Sequence, residues 1–419
     1  FIDALNMPAQ KPGGLKKESA IRGFESIAET VVPFDQKETS PEEVVSILRY
    51  CRNDVGATEF IFNKPEFQDG VNTRTSIGEV FNYPLDKLYC KSNSTLSAEL
   101  AHQLMYPKHK DGEKREGIAY GKNTDDSFEL ADIIDNSIKF KSDELIKVVD
   151  NIKALGKMTW FPKGVKISEE AKAYKRTIDA EIKTDIFFGG DLKAGFAQGG
   201  IHIFPNSKKM QCHFKSDDEY EVLDLDAKAY YPSMIHAFNF DTHAHSTRLA
   251  EIMGEVVDLR NSAKTPGEKK TYKLMSNSIY GCLRDRHSIV LSPKAGLQVC
   301  FTGQLLMLQL VEELFLNGIT VIQANTDGVT VHCHKSKRAK LDKIVKDWED
   351  AYKLTMTVDP YKEWYQPHVN AVYAIADDGS TKVTGRYKVV ESGNIANEQW
   401  SAATLKLFIA KYIHGEDLD

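Results

Sequence analysis

Residues 321–334, VIQANTDGVTVHCH, carry a strong hairpin signal. The Asp327-Gly328 pair separates two segments in which apolar residues recur, an arrangement typical of a tight turn between antiparallel strands. The simplest interpretation is a hairpin and nothing more. The functional interpretation is that the turn presents Asp327 beside the end of the first strand.

Residues 223–235, LDLDAKAYYPSMI, predict another strand that ends in polar residues. Apolar residues before and between the acids indicate burial, and Asp224 and Asp226 are two positions apart, so they project from the same face. One interpretation is a strand that simply ends in a polar turn. The alternative is that carboxylates from neighbouring strands hold two divalent cations, as phosphoryl transfer requires.

Residues 264–283, KTPGEKKTYKLMSNSIYGCL, predict a helix with a polar stripe. Lys273, Asn277 and Tyr280 recur at helical spacing and share one face. A solvated face is one interpretation of this pattern. The other adds Arg260 and Lys264 from the preceding helix, because several cationic donors together suit a triphosphate.

Mixed strands and helices predict an α+β fold with an antiparallel sheet and helices on one face. A helix is also predicted from Ser40-Pro41, where a cap residue precedes proline and two acids, and 128–157 is predicted to be helical. Residues 107–127 are predicted to form a polar loop, and 186–203 strands joined by tight glycine turns. The remaining predicted strands are 219–226, 319–324, 328–333 and 370–376; the helices are 247–263, 267–281, 294–317 and 337–353.

Length and composition restrict the class of protein. A chain of 419 residues with 42% hydrophobic and 27% charged residues suggests two or three globular domains. The net charge of −6 gives no overall nucleic-acid signature, so a basic groove has to be local. The six cysteines form no CxxC pair and indicate a reduced, cytoplasmic protein. No apolar stretch is expected to span a membrane, and 299–315 is predicted to be a buried amphipathic helix.

Taken in order, these segments resemble the family B DNA polymerases of the bacteriophage type. DAKAYYPSMI resembles the family's D-x2-S-L-Y-P-S motif, NTDG resembles D-T-D-S, and KLMSNSIYG, the most specific match, resembles K-x3-N-S-x-Y-G. Shorter matches are RNSAK with the finger-helix R-x3-K, QGGIHI (198–203) with the Y-x-G-G link, DDGSTKVTGRYK (377–388) with the K-x-Y primer contact, and YCRNDVGAT (50–58) with the Y-x3-D exonuclease motif.

The resemblance implies a template-directed polymerase that uses two Mg²⁺ ions, for which Mn²⁺ substitutes. The family's acid lies six residues before proline, which selects Asp226 rather than Asp224. Asp226 and Asp327 are implied as catalytic metal ligands, with the carbonyl of Ala227. The aromatic residue before proline is Tyr231, which would exclude a 2′-hydroxyl, while Tyr230 packs beneath it.

The remaining implied roles concern the nucleotide and the DNA. Arg260, Lys264 and Lys273 would neutralise the triphosphate, and Asn277 and Tyr280 would line the nascent base pair. Gly281 would let the template backbone approach closely, and Lys382 would hold the primer terminus. Further DNA contacts are implied for Gly199, Gly200 and Thr326. Primer–template DNA and deoxynucleotides are the expected partners, in the cytoplasm of a host cell if a phage encodes the chain, with no membrane.

The chain departs from the family pattern at several points. Asn325 stands at the first acid of D-T-D-S, and reduced metal affinity is expected. Ala229 replaces a serine, Phe196 or Ala197 stands at the link tyrosine, and the stretch from Asp226 to Lys273 is short, which indicates either a minimal form or absent segments. Tyr50 and Asp54 are expected to be an exonuclease remnant, because the other acidic motifs would precede them and the chain starts too late to hold them.

The resemblance implies a right-hand palm with an antiparallel sheet and short helical fingers, preceded by a partial RNase H-like exonuclease region. The implied boundaries are 1–100 for the exonuclease region, 101–195 for a connector, 196–246 and 286–400 for the palm, 247–285 for the fingers, and 401–419 for the start of a thumb. A complete thumb would not fit, so a separate exonuclease or thumb segment is a candidate partner.

Three functions follow as hypotheses. The first is a DNA polymerase that performs two-metal nucleotidyl transfer. The second is a non-catalytic nucleic-acid-binding subunit derived from a polymerase, suggested by Asn325 and the short fingers. The third is a metal-dependent 3′–5′ exonuclease, suggested by Tyr50 and Asp54. The mode of priming, by protein, RNA or DNA, does not follow from these residues.

Overall fold

The computed structural model describes most of the chain, and the following statements concern its described residues. These are 14–29, 32–33, 35–105, 126–160, 168–182, 184–188, 192–196, 200–205, 211–240, 248–285, 288, 290–369, 371–387 and 407–415. The chain divides into two compact units. The first unit is Phe1–Asn93, Thr265–Thr271 and Tyr387–Asp419, and the second unit is Ser94–Lys264 and Tyr272–Arg386.

Helices form the described N-terminal part of the first unit. They are α1 (Leu15–Ile21), α2 (Pro41–Phe62), α3 (Pro65–Phe81) and α4 (Leu85–Leu88). The predicted start of α2 is confirmed: the Ser40 hydroxyl accepts a hydrogen bond from the Glu43 backbone N–H, and the Glu43 carboxylate accepts one from the Ser40 N–H. This reciprocal cap satisfies two donors that a helix start leaves free. No strand occurs among the described residues of this unit, so the RNase H-like arrangement stays a prediction.

The second unit alternates helices and strands. Its elements are α5 (Asn93–Met105), β1 (Asp126–Glu129), α6 (Leu130–Ile133), α7 (Asp143–Ala154), β2 (Lys157–Trp160), α8 (Glu169–Ile182), β3 (Thr184–Phe188), β4 (Leu192–Phe196), β5 (His202–Pro205), β6 (His213–Lys215), β7 (Tyr220–Ala227), α9 (Tyr230–Ala237), α10 (Arg248–Ser262), α11 (Pro266–Arg284, whose first turn belongs to the first unit), α12 (Pro293–Leu316), β8 (Thr320–Ala324), β9 (Gly328–His334), α13 (Arg338–Tyr352), β10 (Met356–Tyr361), β11 (Glu363–His368), β12 (Ala371–Ile375) and β13 (Thr381–Val383).

A seven-stranded antiparallel sheet is the centre of the second unit, with strand order β10-β7-β9-β8-β5-β4-β3. The predicted α+β class and the predicted strands β7, β8, β9 and β12 are therefore confirmed. β7 lies between two partners, and its alternation places Leu223 and Leu225, both buried, on the face opposite Asp224 and Asp226. α12 packs against β8 and β9, and α13 packs against β9.

A smaller four-stranded antiparallel sheet has the order β13-β12-β11-β6. Phe214, Trp364 and Ala374 lie side by side across β6, β11 and β12. They form one buried apolar cluster with Val222 of β7 and Ile322 of β8. The cluster holds this sheet against the face of the seven-stranded sheet that carries Asp224 and Asp226.

A β-bulge interrupts the pairing of β8 with β9. Val321 pairs with Val331, but the next pair is Gln323 with Thr330, so Ile322 is an extra residue. Because side chains alternate with a period of two, the extra residue turns Gln323 onto the face that carries Thr330.

α12 is the core helix of the second unit. It is long and apolar enough to cross a membrane by length and composition, and 78% of its most apolar window is buried inside the molecule, which is typical of a core helix. Its buried Glu312 accepts hydrogen bonds from the backbone N–H groups of Lys141 (3.0 Å) and Ser142 (2.6 Å). This carboxylate therefore joins the start of α7 to the core.

The prediction that 128–157 is helical was only partly right. α6 and α7 are present, but β1 and β2 enclose them as an antiparallel pair, with Phe128 and Met158 buried. Strands of four residues are too short to show a period of two, so the pattern gave no signal. Most of the predicted loop 107–127 lies outside the described residues, as do the glycine turns at 189–190 and 197–199, although β3, β4 and β5 flank those turns as predicted.

Candidate active site

Asp226 and Asp327 lie next to each other at the ends of paired strands. In the β7–β9 ladder Asp226 is opposite Gly328, and Asp224 is opposite Thr330. The Ala227 N–H donates to the Asp327 carbonyl oxygen at 2.8 Å, which continues the pairing past the end of β9. The end of β7, which carries Asp226, and Asp327, the residue before β9, therefore lie in the same small region, as the functional interpretation of the hairpin predicted.

Gly328 allows this close approach. A Cβ atom added at this position would lie 2.3 Å from Asp226 Oδ1 and 2.9 Å from the Leu225 carbonyl oxygen. Contacts under 3.0 Å are essentially never found for real Cβ atoms. The glycine of the Asp-Gly pair therefore makes room for the Asp226 carboxylate and for the backbone of β7.

Asn325 stabilises the turn with its side chain. Its Oδ1 accepts hydrogen bonds from the backbone N–H groups of Asp327 (3.2 Å) and Gly328 (2.8 Å), and its own N–H donates to the Gly328 carbonyl at 2.9 Å. An asparagine oxygen bonded to the backbone two residues on is a standard turn device. The sequence reasoning treated Asn325 only as a missing acid and missed this role.

Lys382 reaches both acids of β7. Its ammonium forms an ion pair with Asp224 Oδ2 and lies 3.5 Å from Asp226 Oδ2. The two acids differ in exposure: the Asp224 side chain is 4% exposed, and the Asp226 side chain is 42% exposed. The predicted shared face of Asp224 and Asp226 is confirmed by their common partner. The contact from Lys382 was not foreseen.

Burial and the neighbouring charges shift the pKa values of Asp226, Asp327 and Lys382. Burial, followed by repulsion from Asp224, raises the pKa of Asp226 to about 6, although Lys382 opposes the shift. Burial also raises the pKa of Asp327. Burial alone would lower the pKa of Lys382, but the charge of Asp224 and its hydrogen bond, together with the charge of Asp226, raise it above its ordinary value.

These residues fit a magnesium-type cation. Carboxylates and carbonyls are the oxygen ligands that such hard cations prefer, and Mg²⁺ is commonly held by one or two carboxylates plus substrate phosphates. The charge of Asp327 raises the cost of ionising Asp226, and a divalent cation would relieve it. Within the described residues, no group of three or more His, Cys, Asp or Glu could hold a metal ion. The arrangement is therefore an open two-carboxylate site.

Two tyrosines lie at the start of α9, just after the strand. Tyr230 is buried, and its hydroxyl donates to the Gly303 carbonyl of α12 at 2.8 Å. Tyr231 is half-buried and turns toward α11, where its ring centroid is 4.7 Å from that of Tyr280. Ala229, in the left-handed region with φ of 45°, makes the bend between strand and helix. The predicted division of the pair, with Tyr230 in the core, agrees with these positions.

Tyr280 has a second partner on its own helix. Arg284 Nη1 donates to the Tyr280 hydroxyl at 3.0 Å, one turn further along α11. Burial raises the pKa of Tyr280 to about 12, and burial also raises the pKa of Tyr231. Both phenols are therefore neutral at physiological pH and form an uncharged aromatic wall. The sequence reasoning missed Arg284, although its i, i+4 spacing from Tyr280 was a usable signal.

The predicted basic residues lie on α10 and α11 or just after α10. Arg260 Nη1 donates to Ser276 Oγ at 3.2 Å, which ties α10 to α11, and burial lowers the pKa of Arg260. Lys273 and Asn277 are exposed on α11, and Lys264 is exposed just after α10. The hydrogen bond from Arg260 supports the expectation that α10 and α11 present their basic residues together. The roles of Arg260, Lys264, Lys273 and Asn277 stay predictions.

Thr326 and Gly200 approach each other closely. Gly200 has φ of +149°, and an added Cβ would lie 2.8 Å from Thr326 Oγ1, so this position requires glycine. Gly281 is exposed on α11, and no atom lies within 4 Å of the position its Cβ would take. Gly199 lies outside the described residues. The DNA-binding roles of these residues stay predictions.

Tyr50 and Asp54 lie in the first unit, one turn apart on α2. Asp54 hydrogen-bonds Tyr50 and raises its pKa, and the Lys16 ammonium lies 5.1 Å from the centroid of the Tyr50 ring. These contacts are local to the helical unit. They neither require nor exclude an exonuclease remnant, which stays a prediction.

Among the comparisons with known proteins, the comparison with solved structures finds similar chains. No family model matches the chain, and no curated protein matches it. Among solved structures, the chain is similar to the family B DNA polymerase from the hyperthermophilic archaeon Pyrobaculum calidifontis, with 14% sequence identity and a TM-score of 0.42. The match covers 98% of this chain and 49% of that one, so the chain spans about half the length of that polymerase. A likeness at this level does not by itself assign a fold or an activity.

Proposed function

We propose that the chain is the palm-and-fingers portion of a template-directed DNA polymerase of family B. The observation that carries the proposal is the position of Asp226 and Asp327, side by side at the ends of β7 and the β8–β9 hairpin, with an aromatic wall and a lysine converging on them. In this proposal the seven-stranded sheet is the palm, and α10 and α11 are short fingers.

The proposed reaction joins a deoxynucleotide to a primer. The primer 3′-hydroxyl attacks the α-phosphate of the nucleotide, a new P–O bond forms, and pyrophosphate leaves. Two Mg²⁺ ions, or Mn²⁺ in their place, would stabilise the attacking and leaving oxygens. Asp226 and Asp327 would hold them with the Ala227 carbonyl. The task of the chain is to place these carboxylates rigidly, which the β7 ladder and the Gly328 contact do.

Nucleotide selection would take place at the aromatic wall. Tyr231, braced by Tyr280, would lie under the sugar and exclude a 2′-hydroxyl by contact. Lys273, Arg260 and Lys264 would neutralise the triphosphate, and Asn277 would line the base pair with Tyr280. We expect Tyr231→Ala to admit ribonucleotides while the deoxynucleotide reaction continues, a change measured by the ratio of the two incorporation rates.

DNA contacts would lie on three elements. Lys382 would hold the primer terminus, and Gly199, Gly200 and Thr326 would contact the strand near the hairpin. Gly281 would admit the template backbone. Because nothing lies within 4 Å of an added Cβ at Gly281, Gly281→Ala is expected to keep the fold and to weaken only DNA-dependent activity. A bacteriophage origin, action in a host cytoplasm, and a separate exonuclease or thumb segment as partner belong to the same proposal.

A second candidate is a polymerase-derived subunit that binds nucleic acid without catalysis. Two observations favour it: the Asn325 side chain is used by the turn, and the Lys382 ammonium already partly neutralises Asp226. A 3′–5′ exonuclease is the third, and it rests on Tyr50 and Asp54 alone.

Extension of a labelled primer–template with Mg²⁺ and four deoxynucleotides tests the proposal. Wild-type protein is compared with Asp226→Ala, Asp327→Ala and the control Asp347→Ala. Asp347 is an exposed acid on α13 paired with Lys343, and such surface pairs contribute little. We expect extension to be lost in the first two variants and kept in the control, with folding checked by circular dichroism.

Each other outcome selects a different candidate. Extension retained by Asp226→Ala would refute catalysis at this site. DNA binding without extension by the wild type would support the non-catalytic subunit. Shortening of a labelled single strand in Mn²⁺, abolished by Asp54→Ala, would establish the exonuclease instead.

A further inference from the structure

Asp224 is a buried charge that the proposed chemistry does not use. It is 3% exposed, in the middle of the sheet, two residues before Asp226. A buried carboxylate is costly unless it is paired and hydrogen-bonded. Asp224 has both kinds of partner, because Thr330 Oγ1 donates to its Oδ1 at 2.7 Å and the Lys382 ammonium pairs with its Oδ2.

A chain of buried polar side chains fixes Thr330 in turn. Gln323 Nε2 donates to Thr330 Oγ1 at 3.3 Å, Gln366 Nε2 donates to Gln323 Oε1 at 2.7 Å, and Trp364 Nε1 donates to Gln366 Oε1 at 2.7 Å. The bulge at Ile322 is what turns Gln323 into this chain. Fully satisfied buried networks of this kind hold their members rigidly.

Lys382 reaches the acids from the small sheet. It pairs with Ala374 in the β12–β13 ladder, and Ala374 in turn pairs with Trp364, so Lys382 lies on the inner face. Its ammonium is 5.8 Å from the Trp364 ring centroid, and its side chain is 36% exposed. The strand β13 has three residues and, among the described strands, pairs with β12, while the ion pair to Asp224 holds the end of this side chain.

We propose that Asp224 is a positioning residue that, by retaining the Lys382 ammonium, determines how strongly Asp226 binds a divalent cation. The inference rests on the proposed function only in taking Asp226 as a cation ligand. Asp224 and Asp226 share the Lys382 ammonium. The ammonium lies closer to Asp224, and its distance to Asp226 Oδ2 is 3.5 Å. Asp226 thus keeps negative charge for a cation while Lys382 stays beside it. Without Asp224, the ammonium pairs with Asp226 and competes with the cation.

The test is a double-mutant cycle on Mn²⁺ affinity, measured on the full chain by electron paramagnetic resonance of free Mn²⁺. The variants are Asp224→Asn, Lys382→Met and both together. We expect Lys382→Met to tighten binding and Asp224→Asn to weaken it. Residues in one network are coupled, so the weakening is expected to be about fivefold larger with Lys382 present than in the Lys382→Met background.

Thr330→Val is the second variant, because it removes one donor to Asp224 and changes no charge. It is expected to weaken Mn²⁺ binding in the same direction as Asp224→Asn, again only with Lys382 present. Its matched control is Thr320→Val, an exposed threonine at the start of β8. Thermal unfolding of every variant identifies any that is not folded, and Thr330→Val decides the test if Asp224→Asn does not fold.

The outcomes separate this inference from the proposed function. If Asp224→Asn lowers Mn²⁺ affinity equally in both backgrounds, as the loss of a distant charge would, the inference is overturned. An absence of Mn²⁺ binding in both the wild type and Lys382→Met also overturns it. Coupled Mn²⁺ binding without any primer extension supports the inference while the proposed polymerase function fails. Additive effects of the two substitutions on Mn²⁺ affinity, together with normal primer extension, would overturn the inference and support the proposed polymerase function.

Discussion

Gly328 is the residue at which the β7–β9 pairing and the acidic site depend on the same missing atom. Replacing it by alanine puts a Cβ 2.3 Å from Asp226 Oδ1 and 2.9 Å from the Leu225 carbonyl oxygen. The Asp226 carboxylate can rotate away from the new atom. The Leu225 oxygen cannot, because it belongs to the backbone of β7, which is paired on both sides.

The expected cost follows from these two contacts. Overpacking a site that has to move backbone costs about 1–3 kcal/mol. Exchanging glycine for alanine also stabilises by about 0.4–1 kcal/mol through the unfolded chain. The clash is the larger effect, so we expect a net loss of about 1–2 kcal/mol in the free energy of unfolding. Rotation of Asp226 is expected to weaken Mn²⁺ binding by about tenfold, the lower end of what disturbing a supporting contact costs.

Urea unfolding followed by tryptophan fluorescence, together with Mn²⁺ titration, measures both effects. The control is Gly56→Ala on α2, where the new Cβ meets only Phe24 Cζ at an ordinary 3.7 Å. It is expected to stabilise by up to about 1 kcal/mol, as alanine does within helices, and to leave Mn²⁺ binding unchanged. A Gly328→Ala protein as stable as the wild type, with unchanged Mn²⁺ affinity, would refute the reasoning.

Three further predictions concern the same region. The pKa of Asp226 is raised to about 6 from its ordinary value, so between about pH 4 and about pH 6 the folded state binds more protons than the unfolded state. The free energy of unfolding therefore falls as pH rises through this window. Urea unfolding measured across the window should show a smaller fall for Asp226→Asn than for the wild type. Tyr230→Phe removes the hydrogen bond that Tyr230 donates to the Gly303 carbonyl and should cost about 1 kcal/mol in urea unfolding. An unchanged midpoint would mean that this bond contributes nothing. Asn325→Ala removes the acceptor of two backbone N–H groups and should lower the free energy of unfolding by about 1–2 kcal/mol. Asn325→Asp keeps the acceptor and adds a negative charge, so it should tighten Mn²⁺ binding. Weaker Mn²⁺ binding by Asn325→Asp would contradict this expectation.

The parts of the site that the sequence predicts are those determined by neighbours along the chain. Asp-Gly between apolar runs specifies a hairpin, and a spacing of two puts Asp224 and Asp226 on one face, because both rules act over a few residues. The strands β7, β8 and β9 and the helices α10 to α13 follow the predicted spans closely. The cap at Ser40 is equally local.

The parts that could not be predicted depend on residues far apart. Asp224 and Lys382 are 158 positions apart, and no pattern near either residue names the other. The family motif selects Asp226, and nothing in that motif marks the role of Asp224 two residues before it. Nor does any composition rule place an extra residue at Ile322, because a bulge depends on the pairing of two strands and appears in neither strand alone.

The bulge at Ile322 also constrains how this chain can change in evolution. Substitutions in β8 alter one side chain at a time, but regular pairing that kept every residue of β8 would put Ile322 opposite Thr330 and turn Gln323 to the other face of the sheet. Inserting one residue into β7 would likewise exchange acids for leucines along the face. We expect related chains to tolerate many replacements in these strands and almost no change in their length, so that gaps in an alignment would avoid 220–227 and 320–334.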